Sequence, residues 1–444
     1  MKFMKPKKST RRSFLKNSSI GILATGLAGI SPVINRSEAD QPPDLPKIKE
    51  YRRLGRTGAM VSDIGSGVPY SEGVLKAVLD AGVNFIETAE SYSNGRNEIL
   101  IGNVMKNFER EKIFIATKAS PGYKIFNSAD DIIRRAEESL KRLQTGYIDL
   151  YMIHQAQNRI AVKNEYFHEA CDILKKYGKI RYVGLSCHGH SWWEEPGESF
   201  EDILMTAIED GRFDVLFCPY NFFDPEMGER ILKACKQHDI GTMIMKANPM
   251  VSFDDYEKTL KRGEELGYTE RKDWDKLKSW MENSRRFFEK YNMTDIEQLK
   301  DGAIQFILTN KNVSTICCRF RNFSDVEKYV KLSGTTLNDR TSKLLASLKN
   351  DLGFMHCRIG CNSCEQACPH KIPVNTILRY NYYFCSQNME KEAMQYYHEL
   401  KSSRADICMK CKGYCEQVCP YGVVTRTLLT VAHENLSLGN CTYV

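Results

Sequence analysis

The sequence predicts an α/β chain: a (β/α)8 barrel followed by a small, mostly α-helical domain that carries two [4Fe–4S] clusters. Three observations predict it. Eight short apolar runs recur, each followed by an amphipathic stretch. They occupy roughly 300 residues, inside the ~200 to 400 range of closed barrels. Two cysteine quartets then crowd the C-terminal stretch.

The elements are justified in chain order. Arg11-Arg12-Ser13-Phe14-Leu15-Lys16 precedes an apolar run from Ile20 to Ile34. This resembles a twin-arginine export signal, with Ser37-Glu38-Ala39 as a small-residue cleavage site. A basic tail or an uncleaved anchor is the plainer alternative. The apolar run is too short and too mild for a transmembrane helix. The expected parts are a signal over 1–39, a linker over 40–50, a barrel over 51–345 and a cluster domain over 346–444. The expected location is periplasmic or otherwise exported, and not transmembrane once the signal is removed. Residues 1–39 hold eight Lys/Arg and one Glu, which accounts for the whole chain's net +7. The remainder is balanced, so charge gives no support for a nucleic-acid partner.

The expected strands are Val61–Gly67, Val83–Thr88, Ile113–Lys118, Ile148–His154, Ile180–Ser186, Val215–Asn221, Gly241–Ala247 and Val313–Arg319. Near-continuous apolar and β-branched runs suit parallel strands buried on both faces. Helices are expected over Asp130–Leu143, Glu165–Tyr177 and Met227–His238. A polar insertion from Ser252 to about Lys300 separates the last two strands. Glu87, Lys118, His154, Ser186, Asn221 and Lys246 fall at or near the C-terminal ends of their strands. In a parallel barrel these ends share one mouth, where active sites lie.

These residues sit in a recognisable order. Tyr51-Arg-Arg-Leu-Gly-Arg-Thr-Gly58 leads to Val61-Ser62. Glu87-Thr88-Ala89-Glu90-Ser91-Tyr92 is followed by Glu98 and Gly102. Then come Ile115-Ala116-Thr117-Lys118, Asp149-Leu150-Tyr151-Met152-Ile153-His154, Gly178 to Ser186, and Pro219-Tyr220-Asn221. From Tyr51 to about Val330 the chain resembles the aldo-keto reductases. With its leader and its cysteine tail, it resembles an exported branch of that family.

The resemblance implies hydride transfer between a nicotinamide and a carbonyl carbon. Tyr92 would be the proton donor, with Lys118 lowering its pKa from about 10. Glu87 would hold Lys118, and His154 would orient the carbonyl. The resemblance also assigns NADP(H) to Ser186, Asn221, Lys246, Arg319, Arg321 and Asn322. The sequence departs from the family at several of these places. Glu87 stands where the family has Asp, Cys187 where it has Asn, Phe217 where it has Gln, and Arg319 where it has Gly. Arginine cannot let the backbone approach a phosphate as glycine does, although Arg319 and Arg321 could pair with a 2′-phosphate directly. Cys187, Cys317 and Cys318 near the mouth read as buried structural thiols, with a ligand role as the alternative. His188 and His190, beside Trp192 and Trp193, would either line a substrate pocket or cap a loop.

The tail reads Cys357-x3-Cys361-x2-Cys364-x3-Cys368-Pro369, then Cys408-x2-Cys411-x3-Cys415-x3-Cys419-Pro420. Three close cysteines can supply three corners of a cube, and the fourth, before proline, can serve the other cube. Structural zinc prefers separated pairs, and disulfides need no such repeat. Each motif has one residue more than the bacterial ferredoxin run. The stretch Val374 to Lys401 looks largely helical, as in an α-helical dicluster ferredoxin.

The combined expectation is an exported oxidoreductase that interconverts a small carbonyl and an alcohol. Its electrons would come from NADP(H) or through the two clusters, with an electron-transfer protein as a further partner. The alternative is a catalytically weak barrel that binds a ligand or docks such a partner.

Overall fold

The computed structural model describes residues 45–121, 125–189, 198–248, 257, 261, 264, 272–293, 297–387, 389–400 and 404–437. The leader, the Trp192-Trp193 loop with His190, and much of the 252–300 insertion lie outside the described residues.

The chain opens with an antiparallel hairpin, β1 (Tyr51–Arg53) and β2 (Met60–Ser62), with Tyr51 opposite Ser62. Eight parallel strands follow: β3 (Ile64–Gly67), β4 (Phe85–Glu87), β5 (Phe114–Ala119), β6 (Ile148–Ile153), β7 (Ile180–Ser186), β8 (Val215–Pro219), β9 (Gly241–Met245) and β10 (Thr315–Cys318). They close in the order β10-β3-β4-β5-β6-β7-β8-β9. The helices of the first half are α1 (Glu72–Asp80), α2 (Arg96–Met105), α3 (Ala129–Leu143), α4 (Arg159–Val162), α5 (Glu165–Lys176), α6 (Phe200–Asp210) and α7 (Pro225–Gln237). Then come α8 (Lys272–Lys290), α9 (Glu297–Thr309), α10 (Phe323–Lys331) and α11 (Asp339–Leu352). The tail contributes α12 (Val374–Gln387), α13 (Glu390–His398), α14 (Tyr414–Gln417) and α15 (Thr425–Leu436).

All eight expected runs contain a barrel strand. The first is divided. Ser62 accepts no place in the barrel, because its N–H donates to Asn84 Oδ1 at 2.7 Å and its hydroxyl donates to Ile64 O at 2.8 Å. Those bonds turn the chain, so Val61–Ser62 belongs to the hairpin and Ile64–Gly67 to the barrel. The hairpin closes the N-terminal end of the barrel. Leu54 and Val61 join Phe85, Phe114, Leu150, Met152, Phe217 and Met243 in the inner core. Gly55 must be glycine: its φ is +51°, and a Cβ there would lie 2.1 Å from Gly241 N.

Helices start where side-chain caps allow. Ser71, Ser128, Asn158, Asn164 and Ser199 each accept a backbone N–H of the first turn they precede. Such caps typically contribute ~1 kcal/mol each. The outer core lies between strands and helices, with Ile86, Ile115, Tyr151 and Leu185 facing Leu140, Phe167 and Leu204.

The expected boundary at 345/346 lies within the span of α11. Residues Leu45–Val444 then pack as one unit. A shared core joins Phe222 and Phe223 after β8, Trp280 of α8, Leu348 and Leu352 of α11, and Leu428 and Val431 of α15. A separate core inside the tail groups Ile377, Tyr397, Leu429 and the thiols of Cys364, Cys408 and Cys415. Among the described residues, no helix is long and apolar enough to cross a membrane.

Candidate active site

Alternation along the strands sets the site. Phe85 and Glu87 on β4, with Phe114, Ala116 and Lys118 on β5, occupy alternate positions, as period-2 geometry requires for one face. Glu87 is 2% exposed and Lys118 1%. Two charges are tolerated there because they pair with each other. The Lys118 ammonium also donates to Thr88 O at 2.7 Å. Removing one partner of such a buried pair typically costs ~3–5 kcal/mol. Glutamate in place of aspartate therefore still reaches Lys118.

Tyr92 sits on a short turn after β4, next to Ser93 (φ +51°), Asn94 (φ +54°) and Gly95 (φ +80°). Left-handed non-glycine residues in succession mark a strained turn, a common companion of functional sites. The Tyr92 hydroxyl donates to Glu87 Oε1 at 3.2 Å and accepts from Lys118 Nζ at 3.2 Å. The turn is held from behind. Glu98 on α2 accepts from Thr117 Oγ1 and from Arg142 Nε, both at 2.6 Å. Gly102 lets α2 approach the end of α3, where a Cβ would meet Arg142 O at 2.7 Å.

His154 follows β6 and stands edge-on to Tyr92, ring centroids 5.5 Å apart. Its Nδ1 is within 2.6 Å of Ser120 Oγ, with Ser91 Oγ at 3.3 Å. The other ring nitrogen is the one left for a ligand. Burial, then the Lys118 charge, pushes the His154 pKa well below its usual value, so the ring is neutral near pH 7.

One expectation is corrected. Lys118 was expected to lower the Tyr92 pKa, yet that pKa stands well above its ordinary value. Burial is the largest cause and the Glu87 carboxylate the next, with Arg319 opposing them. Tyr92 is thus a firmly protonated phenol, suited to giving its proton to a strong base such as an alkoxide.

These groups line a cavity of about 170 Å³ at the barrel mouth, with Ser186, His188, Phe217, Lys246, Cys317 and Arg319. Its remaining wall comes from the tail: Tyr382, Tyr383, Gln387, Met389 and Tyr396. The tail is tied down over the mouth. Arg319 donates to Gln387 O at 3.4 Å, Arg321 to Ser386 O at 3.2 Å, and Tyr382 to Asn248 O at 3.1 Å.

Of the residues expected to hold NADP(H), Ser186, Lys246 and Arg319 line this cavity, while Asn221, Arg321 and Asn322 do not. Ser186 Oγ accepts from Gln155 N at 2.9 Å and donates to Ile153 O at 3.3 Å. Asn221 Oδ1 accepts from Phe223 N at 3.0 Å and lines a second, smaller cavity beside Cys357. Asn322 caps α10 by accepting from Asp325 N at 2.9 Å. Arg319 and Arg321 point their guanidinium groups at tail carbonyls, and α12 covers them. The cavity is small against the ~300–1,000 Å³ of pockets that take drug-sized ligands. With α12 seated, these residues do not fit a dinucleotide.

The cysteine motifs fold as two matching units. Cys364-Glu365-Gln366-Ala367-Cys368-Pro369 repeats as Cys415-Glu416-Gln417-Val418-Cys419-Pro420. In each, the glutamate accepts a backbone N–H at the start of the next helix: Asn375 N at 3.0 Å and Arg426 N at 2.9 Å. In each, the last thiol accepts an N–H four residues on, Ile372 N at 3.5 Å and Val423 N at 3.4 Å. All eight motif cysteines are free thiols. Burial and neighbouring thiols push several of them up, and the neighbours sort the set. Cys357 feels Cys361 and Cys419, and Cys364 feels Cys357 and Cys361 as well as Cys415. Cys408 feels Cys415, Cys368 and Cys411, and Cys415, pushed up to about 12, feels Cys368 and Cys411. Among the described residues, no three acidic, His or Cys side chains converge to hold a single metal ion.

Sequence reasoning missed Ser120 and the tail side chains of the cavity. Ser120 could be found only by its place just after β5.

The comparisons with known proteins agree with the barrel. The Aldo/keto reductase family matches residues 67–350, more than half of the chain. Aldo-keto reductase YhdN of Bacillus subtilis (strain 168) is 30% identical over 218 residues, 44% of this chain and 61% of that protein. Probable aldo-keto reductase 1 of Glycine max is 30% identical over 211 residues, 43% of this chain and 56% of that protein. The chain thus spans roughly three fifths of the length of these curated relatives. Among solved structures, aldo-keto reductase AKR11C1 from Bacillus halodurans (holo form) covers 67% of this chain and 96% of its own, at 22% identity and a TM-score of 0.49. On the family match, the chain belongs to the aldo-keto reductases, a family of oxidoreductases.

Proposed function

We propose that the protein interconverts a small carbonyl compound and its alcohol at the barrel mouth. The observation that carries this reading is the meeting of Tyr92, Lys118, Glu87 and His154 around one cavity. In reduction, the carbonyl oxygen would lie between Tyr92 Oη and the free nitrogen of His154. Tyr92 would give its proton to that oxygen as negative charge develops. Lys118 would stabilise the tyrosinate left behind, and Glu87 would keep Lys118 in place. Burial of Glu87 and Lys118 in the cavity wall strengthens each of these interactions.

The carbonyl needs two electrons and one more proton besides the one from Tyr92. A nicotinamide supplies them together as hydride, whereas a pair of one-electron clusters supplies the electrons singly, with the proton drawn from water. The covered coenzyme positions favour the second source. Cys357, Cys361, Cys364 and Cys419 would hold one [4Fe–4S] cluster, and Cys368, Cys408, Cys411 and Cys415 the other. The proposed division is a signal over 1–39, a linker, a barrel and a cluster-bearing tail, with an electron-transfer protein as partner.

Anaerobic purification tests both sources. Such protein should contain about eight irons with matching sulfide. It should reduce a carbonyl substrate when dithionite is supplied and nicotinamide is withheld. Zinc without acid-labile sulfide would sink the cluster assignment. Turnover that requires NADPH even with reduced clusters would return the electron source to nicotinamide.

Export by the twin-arginine route is proposed from Arg11-Arg12 ahead of Phe14-Leu15. Replacing both arginines by lysine should leave precursor in the cytoplasm. Unimpaired export of the double-lysine form would overturn this assignment.

A further inference from the structure

Two buried nitrogen atoms in the catalytic cavity have no hydrogen-bond partner: Lys246 Nζ and His188 Nδ1. Both residues line the same chamber as Tyr92, Lys118 and His154. Buried polar groups are almost always satisfied, and an unpaired ammonium is among the most costly exceptions. Lys246 is also strained. It follows β9 with φ +54°, a left-handed conformation that disfavours side chains other than glycine. Its ammonium lies 5.4 Å from the Tyr383 ring centroid, a weak substitute for a counter-ion.

Among the described residues, Glu87 is the only acidic residue lining the chamber, and it is paired with Lys118. The adjoining cavity of about 60 Å³, which Lys246 also lines, has Arg379 and no acidic residue. Lys246 therefore has no anion beside it here, and burial, then the Arg379 charge, holds its pKa well below the ordinary lysine value; an entering carboxylate would favour its ammonium form. His188 adds a second nitrogen; burial first, then Lys246 and Arg379, hold its pKa well below the ordinary histidine value, so the ring is neutral.

We propose that Lys246 Nζ and His188 Nδ1 form an anion subsite that takes the carboxylate of a small oxo acid or hydroxy acid, with the reacting carbon held at Tyr92 and His154. The proposal rests on the carbonyl reading and names its substrate class. A carboxylate accepts from both nitrogens at once, with His188 protonated on Nδ1, and neutralises the ammonium. The cavity volume suits a compound of a few carbons and excludes larger ones.

The test uses the full-length protein, prepared anaerobically. Butanoate, a carboxylate with no carbonyl, serves as the binding probe in calorimetry. It should bind about one per chain. Lys246→Met should weaken it about 10-fold or more. His188→Leu should weaken it too, and His188→Gln, which keeps a donor, should restore most of the loss. Because Lys246→Met replaces a buried polar group that has no hydrogen-bond partner, its melting temperature should be equal to or above the parent's, which separates lost binding from lost folding. In turnover, Lys246→Met should raise KM for 4-oxobutanoate at least 10-fold more than it raises KM for butanal. Equal butanoate binding by parent and Lys246→Met, or none by the parent, overturns the subsite. So does a Lys246→Met effect confined to NADPH against NADH, which would make Lys246 a coenzyme-phosphate ligand. An effect confined to the cluster potential would make it a cluster counter-charge and also overturns the subsite. If neither 4-oxobutanoate nor butanal is reduced, the carbonyl reading fails, while butanoate binding still decides the subsite.

Discussion

Tyr92→Phe is expected to lower kcat by about 10²–10⁴-fold, the usual worth of a positioned general acid. That corresponds to roughly 3–5 kcal/mol of lost transition-state stabilisation. The change removes one hydroxyl and almost no volume. Lys118 keeps Glu87 and Thr88 O as partners, so the buried pair survives. Melting temperature and iron content should stay at parental values. The pH dependence adds a second check. Tyr92 has its pKa raised, so it stays protonated well into alkaline solution. His154 has its pKa lowered from 6.5, so it stays neutral well into acid. Neither titrates across the neutral range, and reduction by the parent should be nearly flat there. A phenylalanine variant of parental activity would remove Tyr92 from the chemistry. A break in rate near the ordinary histidine pKa would show that His154 gains a proton in the working site.

On the proposed cluster assignment, Cys419→Ser is expected to damage the cluster of the first motif rather than the second. Cys419 acts on Cys357, whereas Cys368 acts on Cys408 and Cys415. Each single replacement should remove roughly half of the ~8 irons of a two-cluster chain. The informative comparison is between spectra. Reduced Cys419→Ser should give the electron paramagnetic resonance signature of Cys361→Ser, and Cys368→Ser that of Cys411→Ser. A Cys419→Ser spectrum matching Cys411→Ser would refute the crossed arrangement. Loss of one cluster should also lower thermal stability, because it leaves buried, mutually repelling thiols in the tail core.

Much of this was legible before folding. Strand runs and their polar C-terminal ends place Glu87, Lys118, His154 and Ser186 because a closed parallel barrel has one mouth. Helices expected at Asp130, Glu165 and Met227 lie within two residues of α3, α5 and α7. The division of the first run was not legible, since the bonds of Ser62 depend on Asn84, a neighbour only after folding. The Tyr92 pKa was misread because local reasoning saw the ammonium of Lys118 and not the burial around it. The coenzyme residues were read as facing an open groove. Nothing in the spacing of Arg319 and Arg321 reveals that carbonyls some 65 residues later in the chain meet them. Tyr382, Tyr383 and Tyr396 looked like ordinary packing on an amphipathic helix.

The docking of α12 on the barrel makes the reaction vessel a two-piece object. Five of its nineteen lining residues are inherited from a segment outside the matched family region, so the shape of the chamber can drift through changes in the tail while the barrel stays fixed. Grafting the tail onto another barrel, or trimming it after Leu352, would not yield a smaller version of the same catalyst. It would yield a chamber with one side missing.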